Sequence, residues 1–184
     1  MSQGTVIAIV VVALAIIGLI AWMFSKRRRS HELKDRFGPE YNRLVHERGT
    51  RHRAEAELDR RTKRVERLSI RPLVSSERTR YVDLWQVQQA RFVDDPRNAV
   101  TEADRLVEEV MKARGYPMGD FEQRAADISV DHPRVVENYR AAHQIAVGHK
   151  RGEANTEDLR KAMVHYRALF EELLEDSRPV EVHS

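Results

Sequence analysis

The strongest pattern in the chain is its first. Val6 to Phe24 reads VIAIVVVALAIIGLIAWMF, nineteen residues without a charge. At about 1.5 Å per residue a helix of that length spans roughly 28 Å, enough to cross the hydrocarbon core of a bilayer. Only a helix satisfies its own backbone groups there. A cleaved signal peptide would need a basic start, a shorter apolar core and a small-residue cleavage site. Here Met1 to Thr5 carries no Lys or Arg, and Ser25-Lys26-Arg27-Arg28-Arg29 follows the run. Residues 1–25 are therefore expected to form an uncleaved transmembrane anchor, with Trp22 at the level of an interfacial aromatic.

After the apolar run the pattern turns polar. Gly38-Pro39 is a break followed by a favourable helix start. Glu40 to Leu68 then reads as one long charged helix. Its few apolar residues include Leu44, Leu58 and Val65 at seven-residue spacing, but Arg51 takes the remaining slot. That falls short of a coiled coil. The segment reads as a solvated stalk helix held by internal ion pairs, or as one docked along a partner or its own domain. Ser69 to Ser76 is read as a linker.

Beyond it, amphipathic stripes at helical spacing predict five further helices. Ser76 to Asp94 carries Tyr81, Trp85, Gln88 and Phe92 at i, i+4, i+7 and i+11. Asp95 caps the next, Pro96 opens it, and Gly115 ends it. A short helix spans about Asp120 to Ile128. Asp131 and Pro133 are expected to start the fourth, and Thr156 the last, which runs to Leu174. No alternating strand pattern occurs. The fold class is thus all-α: a transmembrane anchor (1–25), a basic juxtamembrane region with its stalk (26–71), and a compact bundle of about five helices (72–184). The tail is expected to fray from about residue 177.

Charge sharpens this division. Residues 26–71 carry 16 Lys/Arg against 8 Asp/Glu, a net of +8, whereas residues 72–184 carry 16 against 21, a net of −5. The positive-inside rule places residues 25–184 in the cytoplasm of a cell and Met1 outside. Lys26, Arg27, Arg28 and Arg29 are expected to contact anionic headgroups, each adding roughly 1 kcal/mol. The stalk arginines also offer contacts to nucleic acid, but interspersed acids and the acidic distal domain argue against it.

Several stretches, WQVQQARFVDDPRNAVTEADRLVEEVMKARGYP, DFEQRAADISVDHPRVVENYRAAH and EDLRKAMVHYRALFEELL, together resemble a widespread family of small, uncharacterised bacterial membrane-anchored proteins. The resemblance covers roughly residues 36–175. It implies anchoring and a helical fold, and it supplies no catalytic residues.

Candidate chemistry is sparse. The absence of cysteine excludes disulfides, thiolate zinc sites and a cysteine nucleophile. His46-Glu47 begins a zinc-protease motif, but position 50 is Thr. Gly115-x-x-x-Gly119 and Gly148-x-x-x-Gly152 lack the Lys-Ser/Thr sequel of a phosphate loop. Asp94-Asp95 and Glu108-Glu109 are neighbours that do not face one another on a helix. No metal, cofactor or catalytic residue is expected. The leading expectation is a membrane-anchored adaptor or scaffold whose bundle binds a protein partner. Tyr81, Trp85, Gln88 and Phe92 are its candidate surface, because Trp and Tyr are frequent interface anchors. Packing into the bundle's own core is the competing role for that row. The alternative is a small all-helical enzyme, possibly metal-dependent, with a site near His132, His143 and His165.

Overall fold

A computed structural model describes the backbone of residues 3–175. Side chains are described from residue 14 onward, apart from those of Ala15, Trp22, Ser25 and Lys26. The expected interfacial role of Trp22, the headgroup contact of Lys26 and the fraying tail lie outside these described residues. Those residues form eight helices and no strand: α1 (Gln3–Phe37), α2 (Pro39–Arg48), α3 (Arg51–Val65), α4 (Ser75–Arg91), α5 (Pro96–Arg114), α6 (Phe121–Asp131), α7 (Val136–Lys150) and α8 (Thr156–Leu174). The all-α class expected from the sequence is what the structure has. Among the described residues no helix is long and apolar enough to cross a membrane, so the anchor is not supported at this level.

The chain divides into two compact units, residues 1–55 and 56–184. The boundary falls inside α3 rather than at residues 71 and 72. In the first unit α1 packs on α2. Leu33 and Phe37 meet Tyr41 and Leu44, with Ala54 also buried. Gly38 turns the chain with φ 49°, and Pro39 opens α2. Glu40, fully buried, accepts two hydrogen bonds from the Arg43 guanidinium at 2.8 Å each.

The single long stalk helix is corrected here. Gly49 adopts φ 72° and closes α2, and Thr50 Oγ1 accepts the Arg53 amide at the start of α3. The stalk is also not a solvated rod. Its sparse apolar residues Leu44, Ala54, Leu58 and Val65 are all buried.

The second unit gathers the last part of α3 with α4 to α8. Helix α8 packs against both α5 and α7, and α4 lies along α5. The predicted stripes form this core: Val100, Leu106, Val107, Val110 and Met111 of α5 meet Leu159, Tyr166, Leu169, Phe170 and Leu173 of α8, all buried. Asp95, Asp120 and Asn155 cap α5, α6 and α8 by accepting the amides of Asn98, Gln123 and Asp158. The expectation that Asp131 starts the helix that is α7 is corrected by the structure. Asp131 ends α6 and accepts the Tyr116 hydroxyl at 2.8 Å, while Val135 precedes α7.

Residues 69–76 are not a free linker either. Ile70 is buried, and the Arg71 amide donates to Arg114 O at 2.8 Å. Gly115 permits this approach. Its φ is 97°, and a Cβ there would lie 2.6 Å from Ser69 O.

Helix α6 is enclosed, with every residue from Ala125 to Val130 buried. Its Asp127 carboxylate, wholly buried, accepts from Arg64 Nε at 2.8 Å and from Gln123 Nε2 at 3.0 Å. Arg61, also buried, donates to Ser129 Oγ at 3.3 Å. Replacing Asp127 with Ala leaves these donors facing an apolar gap. Asp127→Ala is expected to destabilise the full chain by about 3 kcal/mol, seen as a lower thermal midpoint by circular dichroism in detergent. Arg64→Ala, which leaves the buried carboxylate with Gln123 as a donor but without its cation, should cost about as much.

Candidate functional site

The aromatic row of α4 divides in two. Tyr81 and Trp85, one turn apart, point into the bundle and are 6% and 5% exposed. Trp85 stacks on Phe170 of α8 with ring centroids 4.7 Å apart and planes 20° from parallel. Tyr81 donates to Glu109 O at 3.5 Å, a long bond. These two residues are core, which corrects their placement on an open interaction surface. Gln88 and Phe92 are half-buried, and Phe92 remains accessible.

Phe92 lines a groove between α4 and α8 with Trp85, Gln89, Met163, Val164, Arg160 and Arg167, enclosing 140 Å³. Its floor is aromatic and aliphatic, and its rim is basic. Val164 is exposed. Arg160 is held by Glu157 at 2.7 Å and Arg167 lies 3.8 Å from Glu171, both surface pairs within one helix. Pairs of this kind contribute little and exchange readily. Trp85 Nε1 and Gln88 Oε1 are buried without a hydrogen-bond partner. They are a donor and an acceptor one turn apart, and Gln88 is not among the residues lining the groove. Met163 and Val164 were legible as helix positions. Their meeting with Phe92 across two helices 70 residues apart was not.

The three histidines of the enzymatic alternative occupy three separate settings. His132, 2% exposed, closes α6. Its Nδ1 lies 3.1 Å from Glu172 and its Nε2 3.5 Å from Arg114 Nη1, which donates to Leu173 O at 2.8 Å. His143 stacks on Phe121 with centroids 3.6 Å apart. His165 Nδ1 lies 2.8 Å from Asn138 Oδ1. Among the described residues no three His, Cys, Asp or Glu side chains converge on a point that could hold a metal.

A polar network missed by the sequence reading links α5, α6 and α7. Arg124 donates to Tyr139 Oη at 3.0 Å, to Glu108 at 2.6 Å and to Gly119 O at 2.7 Å. Burial pushes the Tyr139 hydroxyl up to about 12, and burial with the nearby Asp104 carboxylate raises Tyr166 as well. Both phenols stay protonated at neutral pH, so neither serves as a base. The network braces helices. Arg27, Arg28 and Arg29 of the basic run are exposed along α1.

No family model, curated protein or solved structure matches this chain.

Burial lowers both His132 and His143 below the usual value of 6.5. Around His132, Arg114 also disfavours a charge, while Glu172 and Asp131 oppose that effect. Below pH 6.5 the unfolded chain binds protons that the folded one does not. These sites therefore stabilise the fold fully above 6.5, and less as pH falls through and below that value. The thermal midpoint in detergent is expected to drop between pH 7 and 5. His132→Gln should flatten that drop in part, and His132→Gln with His143→Gln should flatten it further. An unchanged slope in the double variant would refute the assignment.

Proposed function

We propose that the chain is a single-pass membrane-anchored adaptor whose helical bundle, in the cytoplasm, holds a protein partner at the membrane. The observation that carries this reading is the α4–α8 groove, with its apolar floor of Phe92, Met163 and Val164 and its basic rim of Arg160 and Arg167. The partner that fits is an amphipathic segment with one or two large apolar side chains flanked by carboxylates. The apolar side chains would enter the groove, and the carboxylates would exchange with Glu157 and Glu171 on the rim arginines.

The anchored reading rests on the apolar run in the sequence and on an exposed apolar face, although no described helix is long and apolar enough to cross a membrane. Leu14, Ile16, Ile17, Leu19, Ile20, Met23 and Phe24 are all exposed along α1. An aqueous surface rarely presents so continuous an apolar face. The basic residues that follow it support a cytoplasmic bundle. The resemblance to small anchored bacterial proteins points the same way.

Two experiments test this. A photo-crosslinking residue at Val164, in the full chain expressed in its native membrane, is expected to trap one discrete partner. The same probe at Gln144, on the exposed face of α7, should not trap it. Phe92→Asp should abolish the adduct while leaving helicity intact. Adducts equal at both positions, or unaffected by Phe92→Asp, would count against the groove. Topology is tested by fusion of a reporter to the C-terminus. Activity is expected only from a reporter that works in the cytoplasm, and the opposite result would reverse the orientation.

A further inference from the structure

The first unit holds a cleft of 210 Å³ between the end of α1, α2 and the start of α3. Its lining is almost wholly polar: Ser30, His31 and Lys34 from α1, Tyr41 and Asn42 from α2, and Arg51 from α3. Val45 supplies a small apolar wall. The lining brings two fixed cations, an imidazole, an amide and two hydroxyls together from three helices. It contains no carboxylate. The nearest acid, Glu55, is occupied, since its Oε1 accepts from Ser30 Oγ at 2.6 Å and from Tyr41 Oη at 2.9 Å. These bonds fix both hydroxyls and hold α3 against the hairpin of α1 and α2. Neither Lys34 nor Arg51 pairs with an acid among the described residues, and both are exposed. With both hydroxyl protons spent on Glu55, the groups left to an anion are the Lys34 and Arg51 cations with His31 and Asn42, a set complementary to a phosphate group.

The position of the cleft along α1 suggests where that phosphate comes from. Helix α1 runs without interruption from the apolar segment to Phe37. Ser30 and Lys34 lie six and ten residues beyond Phe24, which is about 9 and 15 Å along the axis. The headgroup layer extends roughly 5–7 Å beyond the hydrocarbon. Helical side chains lean toward the N-terminus, so the Lys34 chain reaches back toward that layer. The near edge of the cleft therefore stands a few ångströms outside the headgroup layer of a bilayer spanned by Val6–Phe24, within reach of a headgroup phosphate that projects from it.

We propose that this cleft binds the phosphate of an anionic phospholipid headgroup, with Lys34 and Arg51 as its charged contacts. The proposal rests on the anchored reading above. It differs from the diffuse attraction of Lys26–Arg29 in being a site of fixed stoichiometry.

The test uses the full chain purified in a neutral detergent and titrated with dioleoylphosphatidylglycerol, with native mass spectrometry as the readout. One lipid per chain is expected to stay bound. Lys34→Gln with Arg51→Gln should weaken binding at least tenfold at unchanged helicity, and Lys34→Arg should retain it. Lys26→Gln with Arg27→Gln should change it less than twofold. Equal losses in both double variants, or no retained lipid, would overturn the site. Displacement by millimolar inorganic phosphate alone would support the phosphate site and assign it to free phosphate instead. Alkaline carbonate extraction of native membranes tests the anchor independently. A chain released by carbonate that still binds the lipid would sink the anchored reading and leave the cleft standing.

Discussion

The carboxylate of Asp127 has no surface exposed to water, and much of the second unit follows from how it is matched. A buried charge is tolerated only where donors replace its hydration. Gln123 supplies one from the preceding turn, and Arg64 supplies the cation from a segment 63 residues earlier. With Arg61 on Ser129, this fastens the last turns of α3 to α6 while Leu58 and Val65 are buried. A sequence stretch that looks like a charged spacer becomes part of the bundle. Pairs of this kind fix register more surely than they add stability, because burying the ions offsets much of their attraction. Here the register decides which face of α3 stays in water, and Arg60 and Lys63 lie on that exposed face.

A second junction sets the groove. Arg114 ends α5 and is buried, donating to Leu173 O near the end of α8 while facing His132 at the end of α6. Its own carbonyl accepts the Arg71 amide, which Gly115 leaves room for. Arg71 in turn holds Glu77 in the first turn of α4 through two bonds of 2.8 Å. The entry to α4 and the exits of α5, α6 and α8 are thus tied through two guanidinium groups and one backbone hydrogen bond. From that end α4 runs along α5, and the stacking of Trp85 on Phe170 brings it to α8. The gap that remains beyond the stack is the groove lined by Phe92, Met163 and Val164.

Much of this order was legible in the sequence. The stripes of α5 and α8 are continuous, so their helices and buried faces could be read almost residue by residue. The caps at Asp95 and the glycine stop at Gly115 carry local chemistry that does not depend on the rest of the fold. The break at Gly49 was not read, although its signal is local. Glycine followed by threonine is a helix end and a helix start in succession, but the charged pattern on both sides runs through it unchanged. What could not be read was every feature that joins distant segments. Asp127 looks like any polar residue in a short helix until α3 covers it. Asp131 precedes His132-Pro133 like a helix cap, yet its carboxylate is drawn to Tyr116. The aromatic row has helical spacing throughout, and the position of Phe170 decides that Trp85 is core and Phe92 is not.

Charge shows the same separation of scales. The region after residue 71 is acidic as a whole, with a net of −5, yet the groove within it is rimmed by Arg160 and Arg167. Net charge governs solubility and long-range attraction, whereas recognition depends on the potential within a few ångströms of the contact. Over the whole second unit, residues 56–184, the net is −2, so an acidic partner would be repelled only weakly at distance and attracted at the groove. Its association would therefore be slightly slower at low ionic strength and faster as salt screens the domain, until screening also reaches the rim. A basic partner would show the reverse order, drawn in from afar and refused at the rim. The sign of the salt dependence of the association rate thus separates a groove that selects its partner by local complementarity from one that merely lies on an acidic surface.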